Sequence, residues 1–130
     1  MVLPMPVLSQ LQIRSGLAPG VAPDLPVRIA PPLLQRLWGP GTRAMTLPWA
    51  IYLSPAAYEG ALAGDDSQLV AHEAIHVEQW RRLGWVPFLV VYIGEYLRGR
   101  LAGLPHEVAY RSISLEQEAE QRSALAGGER

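Results

Sequence analysis

Leu69-Val70-Ala71-His72-Glu73-Ala74-Ile75-His76-Val77-Glu78-Gln79-Trp80 is the stretch from which the rest of the chain can be read. On an α-helix, residues four apart stand one above the other, so His72 and His76 share a face and Glu73 lies on its edge. Two neutral imidazoles suit a zinc ion, and a carboxylate beside an open coordination position can take a proton from bound water. The HExxH spacing therefore marks His72 and His76 as candidate metal ligands, Glu73 as candidate catalytic base and Zn²⁺ as the cofactor. Two of the three histidines in the chain fall at this spacing.

The flanks predict the helix independently. Leu69, His72, Glu73, His76, Trp80 and Leu83 form one stripe. Ser67, Ala71, Ala74, Glu78, Arg81 and Arg82 form the opposite one, and Val70, Ile75 and Val77 are apolar, as in a helix buried on most of its circumference. Asp65-Asp66-Ser67 supplies an N-cap and negative charge at the start. Arg81 and Arg82 suit the C-terminal end, and Gly84 stops it.

Beyond this segment, 130 residues with 49% apolar and 18% charged side chains describe one globular domain with a single core. A net charge of −1 gives no basic field for nucleic acid. With no cysteine, a metal site must use His, Glu, Asp and water. All eleven basic residues are arginine, a bias that suggests a GC-rich bacterial genome. Met1-Val-Leu-Pro-Met-Pro6 lacks a basic, then apolar, secretory pattern, so the expected compartment is the cytoplasm.

Residues 1–30 read as a proline-rich arm and residues 31–130 as the domain proper. Seven prolines fall within residues 1–32. Val7–Arg14 and Val27–Ile29 are expected as short strands, with Pro19, Gly20, Pro23 and Pro26 making a loop between them. Pro31-Pro32 opens a short helix, Leu33–Trp38, ended by Gly39-Pro40-Gly41. Thr42–Leu53 favours strand, and Pro48 makes it an edge strand or a hairpin corner. An edge strand just before the metal helix offers backbone groups with which an extended peptide can pair. Ser54-Pro55 begins a loop or helical turn through Tyr58, and Gly60–Asp66 leads into the metal helix.

Trp85–Leu97 is the most apolar run. It is too short to span a bilayer and lacks the basic face of an interfacial helix, so it is expected to be a buried core helix, with membrane binding disfavoured. Arg98–Pro105 reads as a Gly-rich break. Glu107–Arg111 reads as one helical turn. Ser114 is an N-cap with Gln117 three residues on, opening a final helix over Leu115–Leu125 that Gly127-Gly128 ends. The fold class is therefore α+β, mostly helical, with a small β-hairpin or edge strand toward the N-terminus.

A catalytic zinc site needs a third protein ligand. The HExxHxxGxxH extension is absent, because Gln79 and Arg82 stand at the Gly and His positions. A later helix must supply the ligand, and Glu95, His106, Glu107, Glu116, Glu118 and Glu120 are its candidates. Leu69-Val70-x-His72-Glu73-x-x-His76-x-x-Gln79, an intervening apolar helix, and Tyr110-x-x-x-x-x-Glu116-x-x-Ala119 together resemble small bacterial zincin-like metallopeptidase domains of the gluzincin type. The likeness covers about residues 46–122. It implies a minimal zincin-like fold and hydrolysis of a peptide or protein substrate. It also implies Glu116 as third ligand and Tyr110 as the donor that stabilises the oxyanion. The rival reading is a zinc-containing zincin-like module that binds a partner without cleaving it.

Overall fold

The computed structural model describes residues 6–17, 20–38 and 42–128. In chain order the elements are α1 (Leu8–Arg14), β1 (Val27–Ile29), α2 (Pro32–Trp38), β2 (Ala44–Leu47), β3 (Ala50–Leu53), α3 (Pro55–Ala63), α4 (Ser67–Leu83), α5 (Trp85–Leu101), α6 (His106–Arg111) and α7 (Ser114–Gly128). The architecture is mostly helical α+β with a three-stranded mixed sheet in the order β1-β3-β2. β3 runs parallel to β1, with Val27 opposite Ile51, and antiparallel to β2, with Thr46 opposite Ile51. Pro48-Trp49 occupies the two-residue turn between β2 and β3, so the proline is a hairpin corner and costs the ladder no hydrogen bond.

α4 is the helix around which the others pack. Asp66 caps it, Oδ1 accepting the Leu69 N–H at 3.1 Å, and its other oxygen takes Arg43 at the foot of β2. Gly84 (φ +85°) ends it and turns the chain into α5. Val70, Ala71, Ile75, Val77 and Trp80 are buried around most of its circumference. One apolar cluster joins Leu8, Leu11, Leu25 and Val27 to Ile51, Leu53, Ala57, Ala61, Val70 and Val77. A second joins Trp80, Phe88, Ile113 and Leu115. Trp80 stacks on Phe88 with ring centroids 3.7 Å apart, and Phe88 stacks on Tyr92 at 5.6 Å, which fixes α5 against α4.

Several expectations change. Of the strand expected over Val7–Arg14, Leu8–Arg14 is a helix, and only Val7 is extended, bridging Pro26. Leu8, Leu11, Gln12 and Ser15 are buried at helical spacing, whereas Ile13 is 62% exposed. Ser54 caps a helix that runs on to Ala63, well past Tyr58. Gly99 and Arg100, expected in a break, continue α5 to Leu101. Gly99 lies so close to Ala109 that an added Cβ would stand 3.1 Å from the Ala109 Cβ. α5 itself is not a buried core helix: Phe88 is its buried residue, and Val86, Val90, Ile93, Leu97 and Leu101 are exposed. Ser114 lies inside α7 at its start, and Gly127-Gly128 falls within its last turn. Pro19 and the stop expected at Gly39-Pro40-Gly41 lie outside the described residues. Among the described residues no helix is long and apolar enough to cross a membrane.

Candidate metal centre

The helical register of α4 aims both imidazoles at α7. His72 Nε2 and His76 Nε2 are 3.2 Å apart. Glu116, in the first turn of α7, places Oε1 3.0 Å from His72 Nε2 and 3.1 Å from His76 Nε2. Ala119, one turn further on and fully buried, lets α7 lie close against α4. Three donors bound tetrahedrally about 2.0–2.1 Å from a zinc ion stand about 3.3 Å apart, so the triangle is close to the size such an ion requires. Two imidazole lone pairs and a carboxylate oxygen directed at one point also repel one another unless a positive charge lies among them. A borderline-soft divalent cation suits this donor set, and the residues present fit zinc.

The imidazole tautomers follow from the next layer of hydrogen bonds. Gln79 is fully buried. Its Nε2 donates to the Leu115 carbonyl at 3.0 Å and to Glu118 Oε1 at 2.7 Å. Its Oε1 is therefore an acceptor for His76 Nδ1–H, 2.8 Å away, which puts the lone pair of the neutral ring on Nε2. His72 Nδ1 lies 3.4 Å from Glu120 Oε2, so both rings have an outer partner that turns Nε2 inward. Glu95, a candidate third ligand, instead accepts the Ser114 N–H and hydroxyl at 2.8 and 2.7 Å, holding the start of α7.

Glu73 is buried and sits beside the triangle, with a ligand atom within 4.8 Å of those of His72 and His76. That is a looser grouping than the one Glu116 makes with the same imidazoles. Thr46 of β2 donates its hydroxyl to Glu73 Oε1 at 2.6 Å. Trp80 Nε1 donates to the Thr46 carbonyl at 2.9 Å, so the strand is held in place from the same helix. Among the described residues no hydrogen bond engages Glu73 Oε2.

Two tyrosines complete the surroundings. Tyr92 on α5 donates its hydroxyl to Glu116 Oε2. Tyr110 on α6 is partly exposed at the rim, its hydroxyl beside Glu116 and Tyr92. Burial, then the Glu116 charge, pushes both phenols well above the ordinary tyrosine value, so both stay protonated and able to donate. Burial alone would raise the Glu116 carboxyl, but hydrogen bonds to His72 and His76 outweigh it and hold the group well below the usual carboxylate range. Burial would likewise lower His76, yet Glu116 and Glu73 push it up to about 9.

Of the other ligand candidates, Glu118 is engaged by Gln79 and Arg82, and His106 Nδ1 lies 2.8 Å from the Tyr96 hydroxyl. Glu107 is exposed. Thr46, Gln79 and Tyr92 are the residues that sequence reasoning did not assign to the site. Gln79 had a visible signal, a polar residue one turn after His76 on a buried face. Thr46 and Tyr92 had none, since both reach the site only through tertiary packing. A cavity of about 300 Å³ lined by Leu47, Pro48, Val77, Trp80, Arg81 and Trp85 lies by the hairpin turn, and none of these residues is in the triangle. Comparison of the chain with protein-family models, curated proteins and solved structures gives no match.

Proposed function

We propose that this protein is a zinc-dependent peptide hydrolase of the zincin-like kind, with His72, His76 and Glu116 holding the metal and Glu73 acting as general base. The observation that carries the reading is the triangle of His72 Nε2, His76 Nε2 and Glu116 Oε1, with sides of 3.0–3.2 Å, beside a buried carboxylate. A bound zinc ion would supply a water with a pKa lowered to about 7 and polarise a substrate carbonyl. Glu73 would take the proton of that water on Oε2, held in orientation by the Thr46 hydrogen bond to Oε1, and pass it to the leaving amine. Tyr110, kept protonated, would donate to the developing oxyanion from the rim. Tyr92 would position Glu116. The outer edge of β2 lies alongside and could pair with an extended peptide.

The test is a panel of peptides incubated with metal-loaded wild type and Glu73→Gln, with metal content measured on both. Cleavage by wild type, lost in a variant that keeps its zinc, is the expected result. Equal turnover in the two removes Glu73 from the mechanism. Stoichiometric zinc in His76→Ala rejects the ligand set. The second reading, a zinc-containing module that binds a partner without cleaving it, is favoured by the close cover over Glu73, which is 5% exposed. Zinc binding without cleavage of any peptide would decide for that module.

A further inference from the structure

Among the described residues the outer face of α5 has no partner, and it has no part in the metal centre. Phe88, Val91, Tyr92 and Tyr96 face inward. On the opposite side Val86, Val90, Ile93, Leu97 and Leu101 form a continuous apolar stripe and are 50–88% exposed. Their spacings of four, three, four and four residues keep them within an arc of about 80° along the helix. Trp85 and Trp49, with ring centroids 5.9 Å apart, flank the stripe at the hairpin turn, and both are more than half exposed. The five stripe residues offer roughly 550 Å² of surface. Two copies packed on that face would bury about 1,000 Å² in total, the lower end of a specific interface.

Four of the five stripe residues also map onto one another about the middle of the helix. Val86 and Leu101, Val90 and Leu97, and Ile93 and Gly94 are equidistant from the midpoint of the Ile93–Gly94 peptide. About a two-fold axis the residue that touches j is touched by j in return, so apolar positions that map onto one another in this way meet apolar positions of the second copy. Nothing lies within 4 Å of a Cβ built at Gly94, and this glycine at the centre lets two backbones approach closely. Arg98 and Arg100 sit toward one end of the helix. Antiparallel pairing places the two basic ends on opposite sides of the axis, where parallel pairing would stack them.

We propose that the protein pairs with a second copy of itself through this face, the two α5 helices running antiparallel about an axis between Ile93 and Gly94. Val90 of each copy then faces Leu97 of the other. The expected result of sedimentation analysis of the full chain, at protein concentrations up to about 100 µM, is a concentration-dependent dimer. Val90→Glu, an exposed position whose change leaves the helical circular dichroism intact, weakens association at least tenfold. Val90→Glu combined with Leu97→Arg restores it, since antiparallel packing brings each new carboxylate to a guanidinium, whereas parallel packing opposes like charges. A monomer throughout the range, a dimer indifferent to Val90→Glu, or a double variant that stays monomeric overturns the proposal. Sedimentation of monomer with anionic phospholipid vesicles, lost in Val90→Glu, also overturns it and assigns the stripe to a lipid surface.

Discussion

At the scale of single residues, the candidate site separates those that would touch a metal from those that decide how the ligands present themselves. Gln79 is the clearest of the second kind. Its two donated hydrogen bonds leave its carbonyl oxygen as an acceptor, and that oxygen sets the tautomer of His76. Gln79→Leu keeps the size but loses this control. We expect zinc affinity to fall about 10–100-fold in titrations against a chelating indicator, with little change in helix content. Glu73→Gln should reduce cleavage about 100-fold or more at unchanged zinc content, the cost of removing a general base.

The pH dependence of the metal-free protein belongs at the same scale. The folded-state value of His76 is raised from 6.5 to about 9, so its contribution is complete below pH 6.5 and is lost as pH rises through about 9. Glu116 is lowered from 4.5, so its contribution is present above that value and is lost as pH falls toward the folded-state value. Thermal unfolding of metal-free protein should therefore give its highest midpoint between about pH 4.5 and 6.5, declining toward pH 9. His76→Ala should abolish the alkaline decline.

At the scale of elements, the site depends on how α4 is started and faced. Arg43, Asp66 and Thr46 tie β2 to α4 at two levels, and Gly64 closes α3 just before the Asp66 cap. Gly64 has φ +79°, and a Cβ built there would lie 2.4 Å from the Arg14 carbonyl oxygen at the end of α1. Gly64→Ala is thus both strained in backbone and in collision with fixed main chain. A loss of about 2 kcal/mol or more in denaturant unfolding is expected, with zinc stoichiometry retained in the folded fraction. On the far side of α4, Arg122 of α7 reaches Glu78 through both nitrogens at 2.7 and 2.9 Å. This partly exposed pair joins the helices, but its contribution to stability is modest.

At the scale of the whole molecule, His72 and His76 come from one helix and Glu116 from another 40 residues on. A metal bound by all three therefore crosslinks α4 to α7, as an ion specific to the folded state. Zinc at 1,000 times its dissociation constant should stabilise the fold by about 4 kcal/mol, read as a raised unfolding midpoint that a chelator reverses. Glu116→Gln should lose most of that increment while the metal-free protein still folds.

The α4 helix, its cap, its stop and the placing of His72, His76 and Glu73 on neighbouring edges were determined by local sequence. Each depends on residues within a few turns of one another and on a period of 3.6. The hairpin at Pro48-Trp49 and the short helix from Pro32 were legible for the same local reason. Tertiary structure alone decided which of six candidate side chains stands nearest the imidazoles, because that depends on how α7 crosses α4 and on the small residue at Ala119. It alone decided that Leu8–Arg14 is a helix, since the burial of Leu8 and Leu11 against β1 and α3 outweighs the strand preference of Ile13. It also exposed the face of α5. Hydrophobicity reports that a side chain gains from leaving water, but not whether its own chain or another surface covers it.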